Sequence, residues 1–282
     1  MRAILGPQGD VPFVMPAQDP PAAASPVAER HRQVAAAVAA YLDGPWRALP
    51  AAARLGPRLG GALVLALGAW PLGLGGDRAP LQIEIILADP EWARLVAEAR
   101  PSELGLRDPS PEPAAMVAIR SESWLAERMA EAPGLWLRQR GVPVRDAHGR
   151  LPALVGAALA AFRLRLPAEI ASFYRRFREG LEGADETLDP VGRAILLGGV
   201  AQSALALPLL CRGEPYPPPD WLAWHVGRVC PDGDEILGLL ARLLTGPALE
   251  RDAAARLRRV QDELLENAGY GEALVRVYHR LA

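Results

Sequence analysis

Residues 59–76, LGGALVLALGAWPLGLGG, carry no charge, and the run that follows the next loop, LQIEIIL (81–87), carries a single glutamate. No other feature narrows the possible folds as much. A charge-free run of this length is either a membrane span or a buried strand with its exit loop. Six of the eighteen residues are glycine and Pro71 sits among them, which breaks a lone spanning helix and suits a strand running into a loop. ALVLAL (62–67), short and bounded by glycines, reads as a fully buried strand. LQIEIIL alternates, is rich in β-branched residues, and reads as a second strand.

The surrounding sequence divides into three units. Residues 1–24 are rich in proline and alanine without periodicity and read as an extended arm. Residues 25–155 hold a mixed α/β pattern. Ser25-Pro26 forms an N-cap and first turn, and Val34, Val38, Tyr41 and Leu42 recur at helical spacing up to Gly44-Pro45. Asp89-Pro90 opens a further helix, MVAIR (116–120) reads as a strand, and RDAHG (145–149) reads as a hairpin turn closed by Gly149. Residues 156–282 read as helices in series. In this unit LVGAALAAFRLRL and PAEIASFYRRFREGLEGA form separate segments, and AILLGGVAQSALALPLLC (194–211) is a helix buried in a bundle. The expected class is α+β, a mixed β-sheet flanked by helices followed by a helical bundle.

The chemistry available to the chain is restricted. All 31 basic residues are arginine, so no lysine amine exists for a Schiff base or a P-loop. Cys211 and Cys230 form no disulfide framework, and the four histidines lack metal-ligand spacing. The net charge of -2 gives no strong nucleic-acid signal. Arginine occurs once before the first prolines with no continuous apolar segment, so no secretory signal is read and the cytoplasm is the expected compartment, with no membrane partner. FYRRFR (173–178) fits an amphipathic helix with Phe173 and Phe177 inward, and WLAWHVGRV places Trp221, Trp224 and Val229 in a core beside His225.

ALVLALGAWPLGL followed by a strand with an acid inside it resembles the start of a nucleotidyltransferase domain of the DNA polymerase β superfamily. The downstream elements resemble, in order, an uncharacterised subfamily of those proteins allied to the aminoglycoside nucleotidyltransferases. They are Trp124-Leu125; Gly141, Val144, Asp146 and Gly149; and Tyr216-Pro217 with Trp221. The resemblance implies a Gly-Ser turn at a helix N-terminus that holds nucleotide phosphates. It also implies two carboxylates at alternate positions on the next strand, sharing Mg²⁺ on one face, where the metals clamp phosphates during in-line displacement.

Several positions depart from that pattern. The Gly-Ser turn is Gly68-Ala69, which keeps backbone amides for nucleotide binding but not the hydroxyl. One register places Gln82 and Glu84 at the acid pair; the other places Gly75 and Asp77 there. Either register lacks one carboxylate. Asp77, Glu84 and Asp146 are thus the candidate catalytic acids, with Asp77, Gln82 and Glu84 as candidate metal ligands and Mg²⁺ the cofactor if the protein is active. Asp146 has an alternative as a turn residue capping its own backbone, and Asp220 stands where the family has a basic residue. Three functions follow. The favoured one is a degenerate member that binds a nucleotide or small-molecule ligand, or a partner, without efficient catalysis. The second is Mg²⁺-dependent transfer of a nucleoside monophosphate to a hydroxyl. The third is an antitoxin-like or assembly protein acting through its helical half.

Overall fold

The computed structural model describes residues 25–75, 79–108, 114–187, 189–246 and 248–271; the arm expected over 1–24 lies outside them. The chain is an α+β protein with a mixed five-stranded sheet in its N-terminal half and a long helical region after it. Helix α1 (Pro26–Asp43) starts as its sequence requires: Pro26 occupies the first turn, and Ser25 Oγ accepts from the Val27 amide at 3.3 Å. A 3₁₀ turn then buries Trp46, and the short α2 (Pro50–Leu55) leads towards β1 (Leu63–Leu67).

All five residues of β1 are buried, which fits its place inside the sheet rather than at an edge. Strand β2 (Leu81–Leu87) pairs antiparallel with it. The chain continues through α3 (Asp89–Glu98) and the one-turn α4 (Pro101–Leu104) to the edge strand β3 (Gly105–Asp108), then to β4 (Ala115–Ser121). β4 pairs parallel with β2 and antiparallel with β3. Helices α5 (Glu122–Ala130) and α6 (Ala132–Gln139) precede β5 (Val142–Arg145), which closes the order β3-β4-β2-β1-β5.

The two-residue side-chain period assigns each face of the sheet a different neighbour. Val64, Ala66, Ile83, Ile85, Val117 and Ile119 pack with α1 residues and Trp46. Leu63, Leu65, Leu67 and Ile86 lie on the other face and share one core with Leu125, Leu135, Phe162, Phe173 and the helices beyond. Gln82 and Glu84 alternate with Ile83 and Ile85, so they sit on this second face.

That second core is continuous from the sheet into α7 (Arg150–Glu186), α8 (Pro190–Cys211), α9 (Pro219–Val229), α10 (Gly233–Thr245) and α11 (Arg251–Asn267). The division expected at residue 155 falls inside α7, whose first turn begins at Arg150. Two local expectations are corrected. RDAHG does not join two strands: its first arm is β5 and its second is the opening turn of α7, with Gly149 in the left-handed region at φ 61°. Nor does Pro167 separate two helices, because α7 runs for 37 residues through it. Pro167 is exposed, so water can satisfy the carbonyl one turn back that its missing N–H leaves free.

Pro208 repeats the problem inside the core. Its ring removes the amide that would bond to the Ala204 carbonyl, and Gln261 Nε2 of α11 donates to that carbonyl at 3.1 Å. Helices α7 and α8 are each long and apolar enough to cross a membrane by length and composition. In α8, 56% of the most apolar window is buried inside the protein, against 17% in α7. α8 thus works as a core helix, the role read for residues 194–211.

Candidate functional site: an arginine-lined cleft on the sheet

Strand register places the site residues in rows across the sheet. Leu67, Gln82, Met116 and Arg107 form one row, and Leu65, Glu84, Ala118 and Gly105 the next. Ile86 and Arg120 continue the pattern one step on. Together Leu67, Gln82, Glu84, Arg107, Met116 and Arg120 line most of a cleft of about 440 Å³. That volume lies within the ordinary range for small-molecule sites.

Glu84 is already engaged. Its Oε1 accepts from Arg138 Nη2 of α6 at 2.6 Å, with the two side chains only 13% and 4% exposed. Arg138 Nη1 also donates to the Gly134 carbonyl one turn back, at 3.3 Å. A carboxylate on a buried strand is costly unless a cation pairs with it, and Arg138 supplies that cation. Among the described residues, no donor reaches the buried Glu84 Oε2.

Gln82 occupies the other candidate acid position, two residues from Glu84 on the same face. Its carboxamide packs against Gly68, where φ is 82° and an added Cβ would lie 2.6 Å from the Gln82 side chain. Glycine is required there both by the backbone and by that contact. The segment after β1 is not a helix N-terminus. Residues 68–73 are successive turns, closed by the Leu74 amide on the Ala69 carbonyl at 2.9 Å and the Gly73 amide on the Trp70 carbonyl at 3.0 Å. Trp70 Nε1 then donates to the Ala79 carbonyl at 2.9 Å, fastening the loop to the start of β2. The implied strand–turn–helix cradle for phosphate is therefore absent over 68–75.

Asp146 follows β5 and accepts from the Arg150 amide at 2.8 Å and the Leu151 amide at 2.9 Å. It caps α7, satisfying two donors that the helix start leaves free. Arg150 itself pairs with Glu122 and donates to the Gly61 carbonyl at 2.7 Å, pinning this corner to α5 and to the turn before β1. Asp77 lies outside the described residues. Among the described residues, no group of three or more His, Cys, Asp or Glu side chains could hold a metal ion. The structure thus brings Gln82, Glu84 and Gly68 together and places Asp146 at a different element boundary.

Four arginines of this region were not singled out by sequence. Arg138 and Arg120 both face the Trp124 ring, with guanidinium carbons 5.4 and 5.1 Å from its centroid, and Arg128 stands 5.9 Å from it. Arg107 faces the cleft from the edge strand. The signal that could have located Arg138 is Glu84 itself, since a charge within LQIEIIL demands a buried partner.

A second polar cluster lies between α6 and α9. His225 is buried edge-on to Trp136, with ring centroids 5.2 Å apart, and among the described residues its Nε2 has no partner. Burial, with Arg140 and Arg212 nearby, pushes its pKa down to about 4. It is a neutral core histidine, and Trp136 also packs against Trp221 with centroids 5.8 Å apart.

No family model and no curated protein matches the chain. Among solved structures it is similar to a nucleotidyltransferase-like protein from Exiguobacterium sibiricum 255-15, with 12% identity and a TM-score of 0.42 over 89% of this chain and 80% of that one. At that level the overlap bears on neither the fold nor the chemistry assigned to this chain.

Proposed function

We propose that the chain is a degenerate nucleotidyltransferase-like protein whose cleft retains a ligand but no longer supports efficient metal-dependent transfer. The observation that carries this reading is the Glu84–Arg138 pair. In the register that aligns LQIEIIL with the acid-bearing strand, Gln82 and Glu84 take the two carboxylate positions. Gln82 is neutral, and the charge of Glu84 is spent on a buried guanidinium 2.6 Å away. A divalent cation at this point would meet one shared carboxylate oxygen and the repulsion of Arg138, Arg120 and Arg107. Electrostatic stabilisation is the largest catalytic contribution in most enzymes, with single groups worth roughly 10²–10³-fold in rate, so its inversion here would abolish efficient transfer.

Calorimetric titration of ATP, GTP and CTP with and without Mg²⁺ tests the reading. Nucleotide binding of equal strength in Mg²⁺ and in EDTA, without release of pyrophosphate, is the expected result. Binding that requires Mg²⁺, is abolished by Glu84→Ala and is accompanied by turnover would instead establish an active transferase.

A further inference from the structure

We propose that Arg107 and Arg120 form a metal-free seat for a phosphate-bearing ligand, taking over the charge neutralisation that bound cations provide in a transferase. This rests on the ligand-binding reading above and names the chemistry that the cleft would recognise.

Three cations surround the Trp124 ring, and two of them have acids. Arg138 pairs with Glu84 at 2.6 Å, and Arg128 with Glu131 at 3.3 Å. Among the described residues Arg120 has no acidic partner. Among these residues its hydrogen bond is a 3.4 Å contact to the neighbouring Ile119 carbonyl, and no acceptor among them reaches its buried Nε. A guanidinium keeps its charge at any pH a protein survives, so it cannot relieve this by losing a proton. Like charges gathered on one ring, one lacking a counter-ion, create a site for an external anion.

Arg107 also has no ion pair among the described residues. It lies across from Met116 on β3, and Arg120 is four residues further along β4. With about 3.3 Å per residue and about 4.8 Å between strands, the two backbones stand roughly 14 Å apart. Both side chains line one cleft, Arg120 from beside Trp124 and Arg107 from the edge strand, and each offers forked donors to a phosphate group bound between them. Leu67 and Met116, in the same row as Gln82, provide an apolar floor beside them. Glu84 Oε2, buried and without a donor among the described residues, is left to accept from a ligand hydroxyl or amine.

Inorganic pyrophosphate is the probe, titrated calorimetrically in EDTA against the wild type, Arg107→Gln and Arg120→Gln, with adenosine and ATP in parallel. Charged hydrogen bonds of this kind correspond to about ten-fold or more in affinity each. Pyrophosphate should bind the wild type without metal and weaken by at least about that factor in each variant, while circular dichroism and melting temperature stay unchanged. Arg107→Lys and Arg120→Lys, keeping the charge but not the fork, should fall between. Absence of pyrophosphate binding in EDTA, or equal binding to wild type and both glutamine variants, overturns the seat. ATP binding with no pyrophosphate binding would leave the ligand-binding reading intact and remove only the seat. Pyrophosphate binding with no nucleotide binding would do the reverse.

Discussion

Removing Arg138 should unfold the sheet's inner face more readily than any change on the rim of the cleft. Arg138→Met keeps the length and most of the volume of the side chain but deletes its charge and both its hydrogen bonds. Glu84 is then left 13% exposed without its ion-pair partner. Breaking a buried pair by removing one partner costs about 3–5 kcal/mol, and the residual exposure of Glu84 places the expected loss near the lower end, about 3 kcal/mol. For a chain of this size that corresponds to a fall in Tm of roughly 6–12 °C. Glu84→Gln should cost as much or more, because Arg138 cannot become neutral. The double variant Glu84→Gln/Arg138→Met should recover a large part of either loss, giving a coupling of about 2 kcal/mol in the cycle. Urea unfolding followed by tryptophan fluorescence measures all four corners. An Arg138→Met loss below about 1 kcal/mol, with the double variant equal to the sum of the singles, would refute the pairing and return the Glu84 charge to solvent or to a metal.

Three further predictions follow from features outside the cleft. Gln261→Met should destabilise by about 1–3 kcal/mol because it leaves the Ala204 carbonyl without a donor, and in the Pro208→Ala background, where the helix regains its own amide, urea titration should show most of that loss gone. Since His225 is held neutral with its pKa at about 4, the unfolded chain binds the extra proton between there and 6.5. Stability should therefore be complete above about pH 6.5 and fall by roughly 3 kcal/mol as the pH drops towards 4, and His225→Phe should flatten that part of the urea-midpoint profile. Burial pushes both the Cys211 and Cys230 thiols up to about 11, so at pH 8 both should react with a disulfide reagent far more slowly in the native protein than in urea, as thiolate release would report.

The central strands were legible because their residues obey one rule each. β1 is uncharged since both its faces are covered, and β2 alternates because one face meets the α1 layer and the other meets the cleft. β3 was not legible: GLRD is four residues long, lies at an edge and carries two charges, so no periodicity can show. Pro167 was misread as a helix boundary since a proline's effect depends on whether its face is wet, and only the fold decides that. The RDAHG turn was read with the right glycine and the wrong partner, because a strand can leave such a turn into either a strand or a helix. In the candidate site, Gln82, Glu84 and Gly68 were legible by alternation and by the glycine alone. Arg138 was not, since 54 residues separate it from Glu84. Arg107 and Arg120 were hidden for the same reason: their shared face is created by the pairing of β2, β3 and β4.

The interior runs unbroken from Leu63, Leu65 and Leu67 to Leu257 and Leu265, so the sheet and the helices bury one another. A scissor cut at residue 155 would sever α7 less than two turns after it starts and strip the oily underside of the sheet bare. Each fragment expressed alone is expected to be insoluble and the two to refold when mixed, which co-purification would check. Side chains of the cleft can change one at a time on such a frame, while the sheet and the helices share a single interior.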